Sequence, residues 1–195
     1  MLIGSNNSLT YLRPSSSWWS KFVKWFGRCQ TISYEKQYIN YGVRLFDIRV
    51  YTNEFNRIII RNGIFQYKIF SFYEVLDFFD KMGDVTVLIT LDETEKESLN
   101  KKTSGVEYKF SDFCRIIETV YPNVMYIGGY RRFDGKKLYQ FEYEKVNGMP
   151  KIINGCQNSW IYRIFPFLSK KKNSYFIKKH QSEGGFIMLN FIDKR

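Results

Sequence analysis

The chain has 195 residues, 44% hydrophobic and 25% charged, the balance of a globular protein with one core; disorder, fibrous repeats and two domains of ordinary size are excluded. Thirty Lys and Arg (30) against 19 Asp and Glu give a net charge of +11, which attracts phosphates in nucleotides, nucleic acids or lipid headgroups. Aromatic residues reach 19%, and large rings bury much area in a short chain.

Met1 to Gly4 is a short apolar start that runs into the polar turn Ser5-Asn6-Asn7-Ser8. From Trp18 to Arg28 the apolar residues Trp18, Trp19, Phe22, Trp25 and Phe26 recur at helical spacing, with Ser20, Lys21 and Lys24 opposite. Ser33 to Tyr41 is a second helix, with Ser33 as the expected N-cap and Gly42 as the stop. Val43 to Val50 then alternates apolar and charged positions, the period of a strand, and Arg57 to Ile60 is a second β run that ends in the turn signal Asn62-Gly63.

Ser71 to Met82 is an amphipathic helix closed by Gly83. Asp84 to Leu91 is a near-continuous apolar run of the kind buried on both faces of a parallel sheet. Glu95 to Val106 is a polar connection. Asp112 to Tyr121 is a helix ended by Pro122, and Val124 to Ile127 a short strand ended by Gly128-Gly129. Lys137 to Tyr143 is a further strand candidate, and Gly185 to Ile192 is the last strand. Strands alternating with helices predict one α/β domain over residues 1–195 with a mostly parallel sheet, and the length favours a small or incomplete (β/α)8 barrel over a full one.

Cys29, Cys114 and Cys156 cannot all pair and form no C-x-x-C motif, which points to a reducing, cytoplasmic setting without a disulfide scaffold or zinc site. The N-terminus lacks the pattern of a signal peptide, and no stretch approaches the length of an apolar spanning helix. His180 is the single histidine and lies in the run Lys178-Lys179-His180-Gln181; it reads as a solvated helix end or as a substitute catalyst.

Three segments in order carry a resemblance: Gly4-Ser5-Asn6-Asn7-Ser8, then Gly42-Val43-Arg44-Leu45-Phe46-Asp47-Ile48-Arg49, then Ile60-Arg61-Asn62-Gly63. Together they resemble the catalytic X domain of phosphatidylinositol-specific phospholipase C, whose pattern is G-T-H-[ND]-S, G-V-R-x-x-D-I-R and H-G. The likeness extends over Met1 to about Glu93 and returns at the final strand, Gly185 to Phe191. It implies a distorted TIM-type barrel with its site at the carboxyl ends of the strands. The reaction it implies is phosphodiester cleavage by the substrate's neighbouring hydroxyl. One histidine acts as general base and another as general acid, and a cation neutralises the phosphate: calcium in the eukaryotic enzymes, an arginine in the bacterial ones.

Both histidine positions are amides in this chain, Asn6 for the base and Asn62 for the acid. An amide hydrogen-bonds in much the shape of an imidazole but exchanges no proton near neutral pH. Each positioned acid or base contributes typically about 10²–10⁴-fold, so little turnover is expected. Three explanations are open: a natural pseudoenzyme, substitutions made to trap a substrate, or ordinary turn residues, for which Asn-Gly is a common signal.

Arg49 stands where the bacterial relatives place their phosphate-binding arginine, with Asp47 two residues back on the same strand face to hold its planar fork, or the two form only a structural ion pair. Asn7, Asp92, Arg61 and Tyr67 complete the expected ligand-binding set, with specificity assigned to loops such as the one around Tyr130 to Asp134. Because Arg49 would face a calcium ion as a like charge, no metal and no cofactor are expected. The expected partner is an anionic phosphodiester: an inositol phospholipid, a glycerophosphodiester or a nucleotide.

The Trp18–Arg28 helix packs on the barrel or contacts a membrane surface through Trp18, Trp19 and Trp25. From Arg163 to Arg195 eight basic residues stand against two acidic ones, with Lys170-Lys171-Lys172 among them, but no nucleic-acid-binding motif accompanies this excess. The expected function is to bind or sequester the phosphodiester without cutting it. The alternative is a metal-independent phosphoric diester hydrolase, slow or inactivated by substitution.

Overall fold

The computed structural model describes residues 1–15, 26–52, 58–68, 71–94, 116–133, 151–155, 161 and 165–194. Most of the Trp18–Arg28 helix, with Trp18, Trp19 and Trp25, lies outside these residues. So do Cys114, Cys156, Asp134, the connection from Glu95 and the strand candidate Lys137–Tyr143.

The strands are β1 (Leu2–Ser5), β2 (Val43–Thr52), β3 (Ile58–Asn62), β4 (Phe65–Tyr67), β5 (Thr86–Thr94), β6 (Met125–Phe133), β7 (Ile152–Asn154) and β8 (Phe186–Leu189). Among the described residues the helices are α1 (Tyr34–Tyr41), α2 (Phe72–Met82) and α3 (Asn173–His180), with 3-10 turns at Pro166–Lys172 and Ile192–Lys194, and residues 116–120 are helical as well, the described end of the helix expected over Asp112–Tyr121. Six strands run parallel in the order β6-β5-β2-β1-β8-β7, and β3 and β4 add an antiparallel hairpin, so the sheet is mixed. Among the described residues no pairing joins β6 to β7, and the arc stays open.

The pairing of β2 decides where a site can form. β1 runs beside Val43 to Phe46, β5 beside Leu45 to Val50, and β3 beside Val50 to Thr52. Because β5 overlaps both of the others, β1 and β3 must share the opposite edge of β2. Between them the edge at Asp47 to Arg49 is covered by the loop after β1, whose Ser8 N–H donates to the Asp47 carbonyl at 2.8 Å.

Alternation along the strands sorts two faces. Phe46, Ile48 and Val50 join Phe72, Val75, Leu76 and Phe79 of α2 in the main core. Leu45, Leu88, Phe186 and Met188 form a second cluster on the other face. Each such fully buried side chain contributes roughly 1.5–3 kcal/mol. Gly4 belongs to this layer, because an added Cβ would strike Met188 Sδ. Continuing from that plug toward the carboxyl ends, the same face carries Asp47 and Arg49 on β2 and Thr90 and Asp92 on β5, all buried.

Several boundaries differ from the expected ones. Ser33 is extended at the start of α1, as an N-cap should be, but its hydroxyl makes no capping bond. Ser71 does cap α2, accepting from the Glu74 N–H at 3.4 Å. β5 begins at Thr86 rather than Asp84 and runs on to Thr94, and β6 continues through Gly128-Gly129 to Phe133. The physical reason is the unbroken register from Thr86↔Met125 to Thr94↔Phe133, whose ladder holds the glycines extended. β8 stops at Leu189 rather than Ile192, because Phe191 takes φ 50° and donates its N–H to the Cys29 carbonyl at 2.6 Å. Among the described residues no helix is long and apolar enough to cross a membrane.

Candidate functional site

Arg49 is the centre, 4% exposed at the carboxyl end of β2. Its Nε donates to Asp47 Oδ2 at 3.2 Å, and its Nη2 lies 3.2 Å from the same oxygen. Nη2 also donates to Asn6 Oδ1 at 3.0 Å, and Nη1 to Asn62 Oδ1 at 3.3 Å. The two amides at the motif's histidine positions therefore meet on one guanidinium, although one follows β1 and the other ends β3.

Each partner is fixed in turn. Asp47 Oδ2 accepts the Asn7 backbone N–H at 3.1 Å, which draws the loop after β1 into the notch beside β2. Asn7 takes φ 46°, a conformation that asparagine tolerates better than most side chains. Asn6 Nδ2 donates to Asn190 Oδ1 at 2.6 Å, and Asn62 Nδ2 to the Gly27 carbonyl at 2.7 Å.

The hairpin between β3 and β4 is a two-residue turn with Gly63 at φ 61° in its first central position, where a side chain is poorly tolerated. Asp92 Oδ2 accepts the Gly63 N–H at 2.7 Å, so Asp92 orients the turn that presents Asn62. Arg61 donates through Nε to the Gly63 carbonyl and stacks over the Tyr51 ring at 4.6 Å. Both residues brace the turn. Tyr67 is 2% exposed and donates its hydroxyl to the Gly27 carbonyl at 2.7 Å, the same carbonyl that accepts from Asn62 Nδ2, and burial pushes that hydroxyl well above the ordinary tyrosine range.

Four contributors are absent from the motif pattern. Asn190, the first residue after β8, orients Asn6. Gln30 donates from Nε2 to the Asn6 carbonyl at 3.1 Å and the Leu189 carbonyl at 2.9 Å. Gln37, fully buried on α1, accepts from Ser5 Oγ at 2.6 Å and donates to the Ser8 carbonyl at 2.9 Å. Cys29 Sγ lies 3.4 Å from Asn7 Nδ2 and 3.7 Å from Asn62 Nδ2. Burial pushes its thiol up to about 11, with Arg49 opposing that rise. The available sequence signal for Asn190 was its place just beyond an apolar strand, the same place Asn6 holds after β1.

His180 belongs to another cluster, with Nδ1 2.6 Å from Glu183 Oε1 while Lys151 Nζ contacts Glu183 Oε2 at 2.5 Å. Among the described residues no group of three His, Cys, Asp or Glu is placed to hold a metal ion. Calcium does not fit beside Asp47, because the guanidinium already occupies the carboxylate's Oδ2 and would meet the ion as a like charge.

Neither a protein-family model nor a curated protein sequence matches the chain. Solved structures do. A double mutant of the phosphatidylinositol-specific phospholipase C from Staphylococcus aureus is similar at a TM-score of 0.63 and 12% identity, over 97% of this chain and 84% of that one. A single mutant of the same enzyme gives 0.63 at 13% identity, over 97% and 85%. A third structure, from work on that enzyme's membrane binding, gives 0.55 at 14% identity, over 97% and 85%. The chain has the fold of phosphatidylinositol-specific phospholipase C. In that fold the sequence motifs fall on the end of β1, the body of β2 and the β3–β4 turn, and they converge at the carboxyl ends of the parallel strands, the usual site of barrel enzymes.

Proposed function

We propose that this phospholipase C-like protein is a catalytically silent relative, its open arc a distorted barrel, that binds an anionic phosphodiester at Arg49 without cleaving it. The observation that carries this reading is the meeting of Asn6 and Asn62 on the Arg49 guanidinium, at 3.0 and 3.3 Å. The guanidinium is permanently charged and matches two phosphate oxygens at once, so it can neutralise a bound diester. The amides flanking it cannot take a proton from an attacking hydroxyl or give one to a leaving oxygen. Asp47 is held by Arg49 and the Asn7 N–H, Asp92 by the Gly63 N–H, and His180 by Glu183.

Two further atoms support a hydroxyl-bearing ligand. Among the described residues, Asn7 Oδ1 and Asp47 Oδ1 are buried acceptors with no hydrogen-bond donor. Buried acceptors usually have a donor, and a polyol's hydroxyls would supply them. This favours glycerophosphoinositol or the headgroup of an inositol lipid over a bare phosphate. A membrane as the source of that headgroup accords with exposed Phe26, Leu168 and Tyr175 near the lysines of Pro166–Lys172 and α3.

Calorimetric titration with glycerophosphoinositol, glycerophosphocholine and a cyclic nucleotide tests the reading. The first should bind, the others more weakly, and Arg49→Met should abolish binding while the ligand stays intact by chromatography. Turnover of any of the three would support the enzyme alternative, and unaltered affinity in Arg49→Met would overturn the assignment of the site.

A further inference from the structure

The Arg49 fork is capped by acceptors. Asn6 Oδ1 and Asn62 Oδ1 both face the guanidinium, and each corresponding Nδ2 faces away from it onto a protein acceptor. An anion arriving at that fork meets oxygen atoms where it needs donors. The two amides differ in what holds them.

Asn62 Nδ2 donates to the Gly27 carbonyl at 2.7 Å, a group that only accepts, so reversing this amide would oppose two oxygens. Asn6 Nδ2 donates instead to another side-chain amide, Asn190 Oδ1, at 2.6 Å. Asn190 has its backbone carbonyl pinned by Asn173 Nδ2 at 2.7 Å, but among the described residues nothing fixes its own Nδ2. If both amides rotate by a half-turn, Asn190 Nδ2 donates to Asn6 Oδ1 and the same hydrogen bond is remade with its direction reversed. Asn6 Nδ2 then faces the Arg49 side.

We propose that Asn6 and Asn190 form a paired amide switch, capping Arg49 in the free protein and rotating together to donate Asn6 Nδ2 to a phosphodiester bound there. The switch rests on the anion-binding reading and makes Asn190 its positioning residue. A carboxylate at position 190 accepts only, so it would lock Asn6 Nδ2 away from the ligand. An apolar residue there leaves Asn6 free to turn.

The test is a titration with dimethyl phosphate followed by NMR of protein labelled with 15N in asparagine and arginine side chains. In the unmodified chain the Asn6 side-chain NH2 and Arg49 Nε signals should move along one saturation curve, while the Asn62 NH2 signal, pinned on Gly27, moves little. Asn190→Asp should silence the Asn6 response and weaken binding about tenfold or more, the loss of one hydrogen bond to a charged group. Asn190→Leu, which cannot hold Asn6 Nδ2 away from the ligand, should keep the Asn6 response and lose less affinity than Asn190→Asp; a silent Asn6 signal in Asn190→Leu as well would overturn the switch. Saturable Arg49 movement with a still Asn6 signal overturns the switch and leaves anion binding standing. No movement at Arg49 overturns both.

Discussion

Replacing Arg49 by methionine tests how much the buried ion pair holds the fold. Asp47 is 1% exposed and Arg49 4%, so neither charge is screened by solvent. Without the guanidinium, Asp47 Oδ2 keeps only the Asn7 N–H at 3.1 Å among its described partners, and Oδ1 has none. A buried charge stranded in this way typically costs about 3–5 kcal/mol. For a chain of this size each kcal/mol lowers the melting temperature by about 2–4 °C, so Arg49→Met should lose roughly 6–20 °C. Adding Asp47→Asn removes the stranded charge and should recover more than half of that loss. The measurement is thermal unfolding by circular dichroism of the two single variants and the double, combined as a double-mutant cycle. A loss below about 3 °C in Arg49→Met, or a double variant no better than the single, would show that the pair is not energetically coupled and refute this reasoning.

Restoring imidazoles through Asn6→His with Asn62→His should produce measurable cleavage of an inositol phosphodiester. Adding Asn190→Asp should raise it about tenfold or more, because a carboxylate beside the histidine fixes its tautomer and stabilises its charged form; an unchanged rate would remove position 190 from that role. Cys29, held protonated by burial up to about 11, should resist alkylation at pH 8 in the folded chain and react fully in denaturant, as read by peptide mass mapping. Rapid labelling of the folded chain would contradict its placement. Glu183 is lowered from 4.5 to about 2, first by the Lys151 hydrogen bond and then by that of His180. A depressed carboxylate stabilises above its unfolded value and loses that contribution as pH falls through its folded one. The stability difference between the native chain and Glu183→Gln should therefore shrink as pH falls from about 5 toward 2; a difference unchanged over that interval in urea titrations would exclude the ion pair as its source.

Strands read from local pattern appear close to where the residues place them. β2 was legible because Phe46, Ile48 and Val50 alternate with Asp47 and Arg49, and α2 because its apolar spacing is bounded by Ser71 and Gly83. β4 and β7, three residues each, were not, since so short a run has no period and is held extended only by its neighbour in the sheet. Of the helix over Asn173–His180 only the end was legible, in the lysine run at His180, because its weak apolar stripe gives little signal for where it starts.

Local order along the chain thus determined which chemical groups stand at strand ends: an arginine with its aspartate, and amides where the motif carries imidazoles. Tertiary structure alone decided that these groups meet. Asn6 and Asn190 are 184 residues apart and bond because β1 and β8 are parallel neighbours that end at one level. Cys29 enters because Phe191 N–H reaches its carbonyl beyond the carboxyl end of β8. Such contacts depend on strand order and register rather than on nearby residues, and a pattern read along one chain carries the period of each element without the pairing between them.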